Sequence, residues 1–207
     1  MARDKNKTPV NPARIVEPQS LPFATAKWRG NLPHLYKEGC TYFVTFSLID
    51  AVSKRLLRRS GIEAGDNPEM VAKELDPSPL TGSRLLRDSN AASVVENALL
   101  HFQGERYALS AWSVMPNHVH VVVTPFGGFT LPKILHSWKS YSAHEINRVL
   151  ARKGSVWEEE SFDHLVRDER AFDKFVFYTE NNPVSAGLCE RPEHWPFSSA
   201  KFRERQG

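Results

Sequence analysis

Two histidines separated by a single residue stand in the run Asn117-His118-Val119-His120-Val121-Val122-Val123. Side chains alternate between the faces of an extended strand, so His118 and His120 share one face. Val119 and Val121 then point the other way, into a core. Two imidazoles so placed can share a metal ion, although a histidine in a strand is more often a satisfied core or surface residue. Farther along, Tyr178 and Asn182 are spaced as neighbours on one helix face, a turn apart. Asn182 directly precedes Pro183, which places it at a helix end, where its amide oxygen can turn toward a metal. Two imidazoles and an amide oxygen leave coordination positions open on a divalent ion, unlike a closed structural zinc site. A phosphate oxygen can fill such a position, and a tyrosine beside it can attack the phosphodiester. The ion would offset charge in the transition state. The phenol, with a reference pKa of about 10, needs its proton removed or its oxyanion stabilised. The product would be a covalent phosphotyrosine, which conserves the bond for rejoining.

Tyr141, in Lys139-Ser140-Tyr141-Ser142, is the rival nucleophile. It falls on an apolar stripe with Ile134 and Trp138, which argues for packing. Glu145 one turn later keeps the rival open, but Tyr178 is preferred because an Asn follows it at the same spacing.

These groups need a strand and a helix to hold them, and the pattern supplies both. Residues 41–49 alternate β-branched and aromatic types with little polarity, as a buried strand does. Ser89 or Asn90 can cap a helix whose apolar face is Val94, Val95, Ala98, Leu99 and Phe102. Residues 107–114 and 118–123 read as two strands joined at Met115-Pro116-Asn117, hence an antiparallel hairpin. Residues 131–150 form an amphipathic helix with Leu131, Ile134, Leu135, Trp138, Tyr141, Ile146 and Val149 near one stripe. Strand-like pieces follow within 156–166, around the acidic Glu158-Glu159-Glu160, whose commonest explanation is a solvated loop. A last helix, about 169–181, stops at Pro183. The order β-α-β-β-α-β plus a C-terminal helix predicts an α+β, ferredoxin-like antiparallel sheet with helices on one face. Residues 1–40 read as a mostly irregular arm, 41–185 as one domain with an insertion at about 51–88, and 186–207 as a C-terminal tail.

A chain of 207 residues, 41% hydrophobic, suffices for one such domain with a sizeable core. No apolar run approaches the roughly 20 residues that span a bilayer, and the polar start lacks a secretory signal's apolar stretch, so a cytoplasmic location is expected. Cys40 and Cys189 lie far apart and outside any CxxC pattern, so free thiols are expected rather than a thiolate metal site. A net charge of +3 permits nucleic acid as a partner without demanding it.

The segments TYFVTFSLID, AWSVMPNHVHVVV, LHSWKSYSAHEINRVL, VWEEESFDHLVRDE, FYTENNPVSAGL and EHWPFSSA together resemble the REP-associated tyrosine transposases, a branch of the single-tyrosine HUH transposases with the IS200-like domain. The resemblance runs over about residues 28–200. It implies that His118, His120 and Asn182 hold magnesium or manganese, and that Tyr178 cuts single-stranded DNA and keeps the 5′ phosphate. It further implies imperfect hairpin DNA, of the REP type, as the partner. Monomer and dimer both remain open. Arg167, Lys139, Arg29 and Trp28 are the candidate DNA contacts, with Lys133, Arg148, Arg152 and His34 behind them. Trp138, on the apolar stripe, is expected in the core. For any one basic residue a solvated surface is the commoner explanation. Two other functions compete: a domesticated hairpin-binding protein without cleavage, and a metal-dependent phosphoesterase, which leaves Tyr178 and Asn182 without roles.

Overall fold

The computed structural model describes residues 39–51 and 82–203. Trp28, Arg29, His34 and most of the expected insertion lie outside the described residues. Four strands, β1 (Tyr42–Ser47), β2 (Tyr107–Val114), β3 (His118–Pro125) and β4 (Phe162–Leu165), form one sheet in the order β2-β3-β1-β4. All three neighbouring pairs are antiparallel. The β2–β3 turn sends β3 back between β2 and β1, so the expected hairpin and the ferredoxin-like plan are both present.

Three α-helices pack on this sheet: α1 (Ser89–Leu100), α2 (Leu131–Val149) and α3 (Glu169–Ser185). They do not all lie on one face. Val44, Phe46, Val119, Val121 and Val123 join Val95 and Leu99 of α1 and Ile134, Trp138 and Ile146 of α2 in the larger core. Phe43, Ala111 and Val122, on the opposite face, join Phe172 and Phe175 of α3. A sheet covered on both sides explains why β1, β2 and β3 are buried at every position instead of alternating.

Several local expectations are corrected. The cap of α1 is Asp88, one residue before Ser89; its carboxylate accepts from the backbone N–H of Asn90 (2.8 Å) and Ala91 (3.2 Å). Helix α3 does not stop before Pro183 but carries it inside and ends at Ser185. The proline omits one backbone donor, while Ala186 N–H still reaches the Asn182 carbonyl at 2.9 Å. Tyr141 and Val149 are exposed, and the small Ser142 takes the buried position on α2 beside Trp138.

Residues beyond α3 are tied to the domain. Ser198 bridges Ser113, Val114 N–H donates to the Phe197 carbonyl at 2.9 Å, and Trp112 N–H donates to Ser199 Oγ at 3.0 Å. These bonds cover the outer edge of β2, which would otherwise offer unpaired backbone groups. Gly82 (φ 74°) packs on Asp50 and Ala51, where any side chain would collide with the Asp50 carbonyl. The described residues on either side of 52–81 therefore meet at one point beside β1.

Candidate metal centre and nucleophile

The hairpin places His118 and His120 on the sheet face that α3 covers, alongside Val122. Both rings are 1% exposed. Their Nε2 atoms stand 3.0 Å apart, facing one another. Each remaining nitrogen is engaged. Nδ1 of His118 lies 2.8 Å from Asn117 Oδ1, and Nδ1 of His120 lies 2.8 Å from Thr45 Oγ1. Thr45 arrives there because the antiparallel register of β1 and β3 sets it opposite His120. With both Nδ1 atoms occupied, the Nε2 pair is the part of each ring available to a cation.

Helix α3 brings Tyr178 to this pair. Its half-buried ring meets His120 edge-on, with centroids 5.3 Å apart and planes at 71°. Phe43 fixes the geometry from below: it stacks on Phe175 at 4.6 Å and on His120 at 5.5 Å, and takes the Tyr178 ring edge at 5.9 Å. Phe172, Phe175, Thr179 and Asn182 form the buried stripe of α3, so Asn182 lies on the sheet side, one turn beyond Tyr178. Tyr141 is 53% exposed on α2, which packs against the other face of the sheet.

The donor set suits a divalent ion with open coordination positions. Among the described residues no group of three or more His, Cys, Asp or Glu could hold a metal, so a third protein ligand would be a neutral group such as the Asn182 amide. His164 lies on this face too, its ring 5.4 Å from Phe175, and burial holds its pKa below the ordinary 6.5. Cys40 and Cys189 are not joined in a disulfide.

The candidate DNA contacts scatter. Arg167 is half-buried between β4 and Asp168, whose carboxylate caps α3 by accepting from Ala171 N–H at 2.7 Å. Lys139 ties α2 to the acidic loop, donating to the Glu159 carbonyl at 2.8 Å and to Ser161 Oγ at 3.2 Å. Desolvation lowers its pKa, against the opposing pull of Glu158 and Glu159. Arg148 pairs with Glu145 at 2.7 Å, Lys133 is exposed, and Trp138 is buried in the core.

Three supporting residues escaped the sequence reading. Thr45 carried no local signal, because only strand register puts it on His120. Asn117 did carry one, since it immediately precedes His118. Glu180, between Tyr178 and Asn182, is buried and accepts from Ser199 Oγ and from Arg203 Nε, each at 2.6 Å. That bond pins the outer side of α3 to the C-terminal segment.

An α+β sheet that sets a histidine pair beside a helical tyrosine was then compared with known proteins. Residues 88–182 match the family described as "Transposase IS200 like", a span that contains His118, His120, Tyr178 and Asn182. The REP-associated tyrosine transposase of Escherichia coli (strain K12) is 24% identical over 108 residues, which are 51% of this chain and 62% of that protein. The chain thus matches less than two thirds of that relative's length. A solved structure of the REP-associated tyrosine transposase bound to a REP hairpin superposes with a TM-score of 0.59 at 21% identity, over 86% of this chain and 87% of that one. The fold is therefore shared, and the resemblance to IS200-like, REP-associated tyrosine transposases read from the sequence is borne out.

Proposed function

We propose that this chain cleaves and rejoins single-stranded hairpin DNA of the REP type through a covalent 5′-phosphotyrosine on Tyr178. The observation that carries this reading is the buried Nε2 pair of His118 and His120 with the Tyr178 ring against it. The Tyr178 oxygen attacks phosphorus, an O–P bond forms, and the P–O3′ bond breaks. The phenol's proton is lost to solvent, and the departing oxygen takes a proton to become a free 3′-OH. Attack by a 3′-OH on the phosphotyrosine reverses these changes, restores the diester and frees Tyr178, so no nucleotide cofactor is required. His118, His120 and Asn182 would hold the divalent ion, magnesium or manganese. That ion, when bound, would polarise the phosphate and offset its transition-state charge.

Hairpin DNA as partner is supported by the solved relative, whose structure holds a REP hairpin. Arg167, at the root of α3, is the first candidate phosphate contact, followed by Lys139, Arg29 and Trp28. No described helix is long and apolar enough to cross a membrane. Action on chromosomal DNA fits a cytoplasmic protein, as a monomer or a dimer.

The test incubates purified protein with labelled single-stranded hairpins from repeats near its own gene, in manganese. Wild type and Tyr141→Phe are expected to give a denaturant-resistant protein–DNA adduct, and Tyr178→Phe none. An adduct persisting in Tyr178→Phe would refute the nucleophile. Hairpin binding without any adduct in the wild type would favour a domesticated binding protein.

A further inference from the structure

We infer that Phe102, Arg106 and Phe129 form a surface for an unpaired nucleobase and its phosphate, at the end of the sheet remote from the histidine pair. The inference deepens the reading of DNA as the partner, and it uses none of the residues that would hold a metal or attack phosphorus.

Two connections build this surface. The one between α1 and β2 carries Phe102 and Arg106, and the one between β3 and α2 carries Phe129. The Arg106 carbonyl accepts from Phe126 N–H at 2.9 Å, which joins the two. The Arg106 guanidinium carbon lies 3.3 Å from the Phe102 ring centroid and 5.6 Å from that of Phe129. His101, which is exposed, meets the Phe102 ring edge-on with centroids 4.3 Å apart. Phe102 is half-buried against the larger core, whereas Phe129 is 36% exposed. The cluster therefore has an anchored ring, a guanidinium laid on it and an outer ring open to solvent.

Arg148, Arg191, Arg203 and Lys201 each form an ion pair with a carboxylate. Arg106 is held by rings instead, and no described carboxylate forms an ion pair with it. Contact with an aromatic face restrains the guanidinium in advance and leaves its N–H fork able to donate to phosphate oxygens. A ring beside a cation complements a nucleotide, which presents a flat base beside an anion, and single strands are bound by that combination of stacking and charge. An acidic peptide would use the charge and leave the Phe129 ring unused. From Arg106 to Ser113, which pairs with His120, the strand covers roughly 20 Å. The base held here is thus not the one beside the phosphate that Tyr178 would attack. Substitutions at this surface should weaken DNA binding and leave the step on bound DNA unchanged.

The test is fluorescence anisotropy of the full chain over a range of salt. Its probes are labelled hairpins from repeats near the chain's own gene, with unpaired loop and flanks, and a blunt duplex of the same stem. Phe129→Ala should weaken hairpin binding about 5- to 150-fold, the loss of one base stack. Phe129→Trp should restore it, and the blunt duplex should show no such loss. Arg106→Gln should flatten the slope of log Kd against log salt by about 0.7–0.9, the share of one phosphate contact. Adduct yield at saturating DNA should match wild type in Phe129→Ala and Arg106→Gln. Unchanged hairpin affinity in Phe129→Ala, or an equal loss on the blunt duplex, would overturn the inference. So would an unchanged salt slope in Arg106→Gln. Loss of binding to vesicles of anionic phospholipid, with DNA affinity unchanged, would overturn it in favour of a membrane surface. A wild type that binds no DNA would bring down the partner reading and this inference together. In a wild type that binds DNA without forming an adduct, the cleavage reading alone falls, and the affinities and salt slopes still decide the surface.

Discussion

Phe43 is the residue on which the candidate site is built. Its ring lies between Phe175 and His120, so the same side chain anchors α3 and backs the imidazole. Phe43→Ala should lower stability by about 3–5 kcal/mol, the usual cost of emptying a buried aromatic position. Denaturant unfolding would measure it, and a cost under about 1 kcal/mol would show that the stack bears little weight. His164, on the neighbouring strand, sets a pH dependence. Its folded pKa lies below 6.5, chiefly through burial. Above pH 6.5 the ring is neutral in both folded and unfolded chains, and its contribution is fully present. As pH falls through 6.5 the unfolded chain takes the proton first, and stability declines until the folded pKa is passed. The urea midpoint should therefore fall between pH 7.5 and 5.5, and fall less in His164→Gln; equal losses would exclude His164 as a cause.

At the level of elements, two polar ties hold the helices in place. Tyr107 on β2 donates its hydroxyl to the Leu99 carbonyl at the end of α1 and accepts from Trp138 Nε1 on α2, each at 2.8 Å. Burial raises its pKa to about 12, so it stays a neutral donor. Tyr107→Phe strands a buried carbonyl and a buried indole N–H, and should cost about 1–3 kcal/mol in chemical denaturation. The second tie is Glu180 with Ser199 and Arg203, which holds α3 in place. Arg203→Met removes a charge-assisted bond to a buried carboxylate, at about 1.5–3 kcal/mol. Amide exchange should accelerate in α3 while α1 is unchanged. Uniform acceleration would mean that the bond supports the whole domain rather than that helix.

On the scale of the molecule, the sheet has two faces and one guarded edge. Helices α1 and α2 build the larger core on one face; α3 covers the other and brings the tyrosine to the histidines. Residues 195–203 close the β2 edge, with Trp195 Nε1 donating to the Val114 carbonyl at 3.0 Å. Deleting residues 195–207 would uncover that edge and remove the partners of Glu180. Such a chain should form dimers or larger species by size-exclusion chromatography, because an open edge strand pairs with its copies. A deletion variant that remained monomeric would show that the edge needs no cover.

Much of this was legible in local spacing. The alternation of side chains along a strand put His118 and His120 together, the helical repeat put Tyr178 and Asn182 together, and the order of elements pointed to the ferredoxin-like sheet. These are short-range periodicities, which a chain carries wherever it folds. Other features depend on pairing between distant segments, and no local pattern encodes that. Register brought Thr45 to His120, and packing on the second sheet face brought Tyr178, rather than Tyr141, to the pair. Tyr141 shared an apparent stripe with Ile134 and Trp138, yet it lies exposed, and Ser142 is buried in its stead, its hydroxyl accepting from Trp157 Nε1 at 2.9 Å. The sequence alone determined which side chains could act as neighbours along one element. Only the tertiary structure decided which elements face each other, because that choice is made by long-range burial.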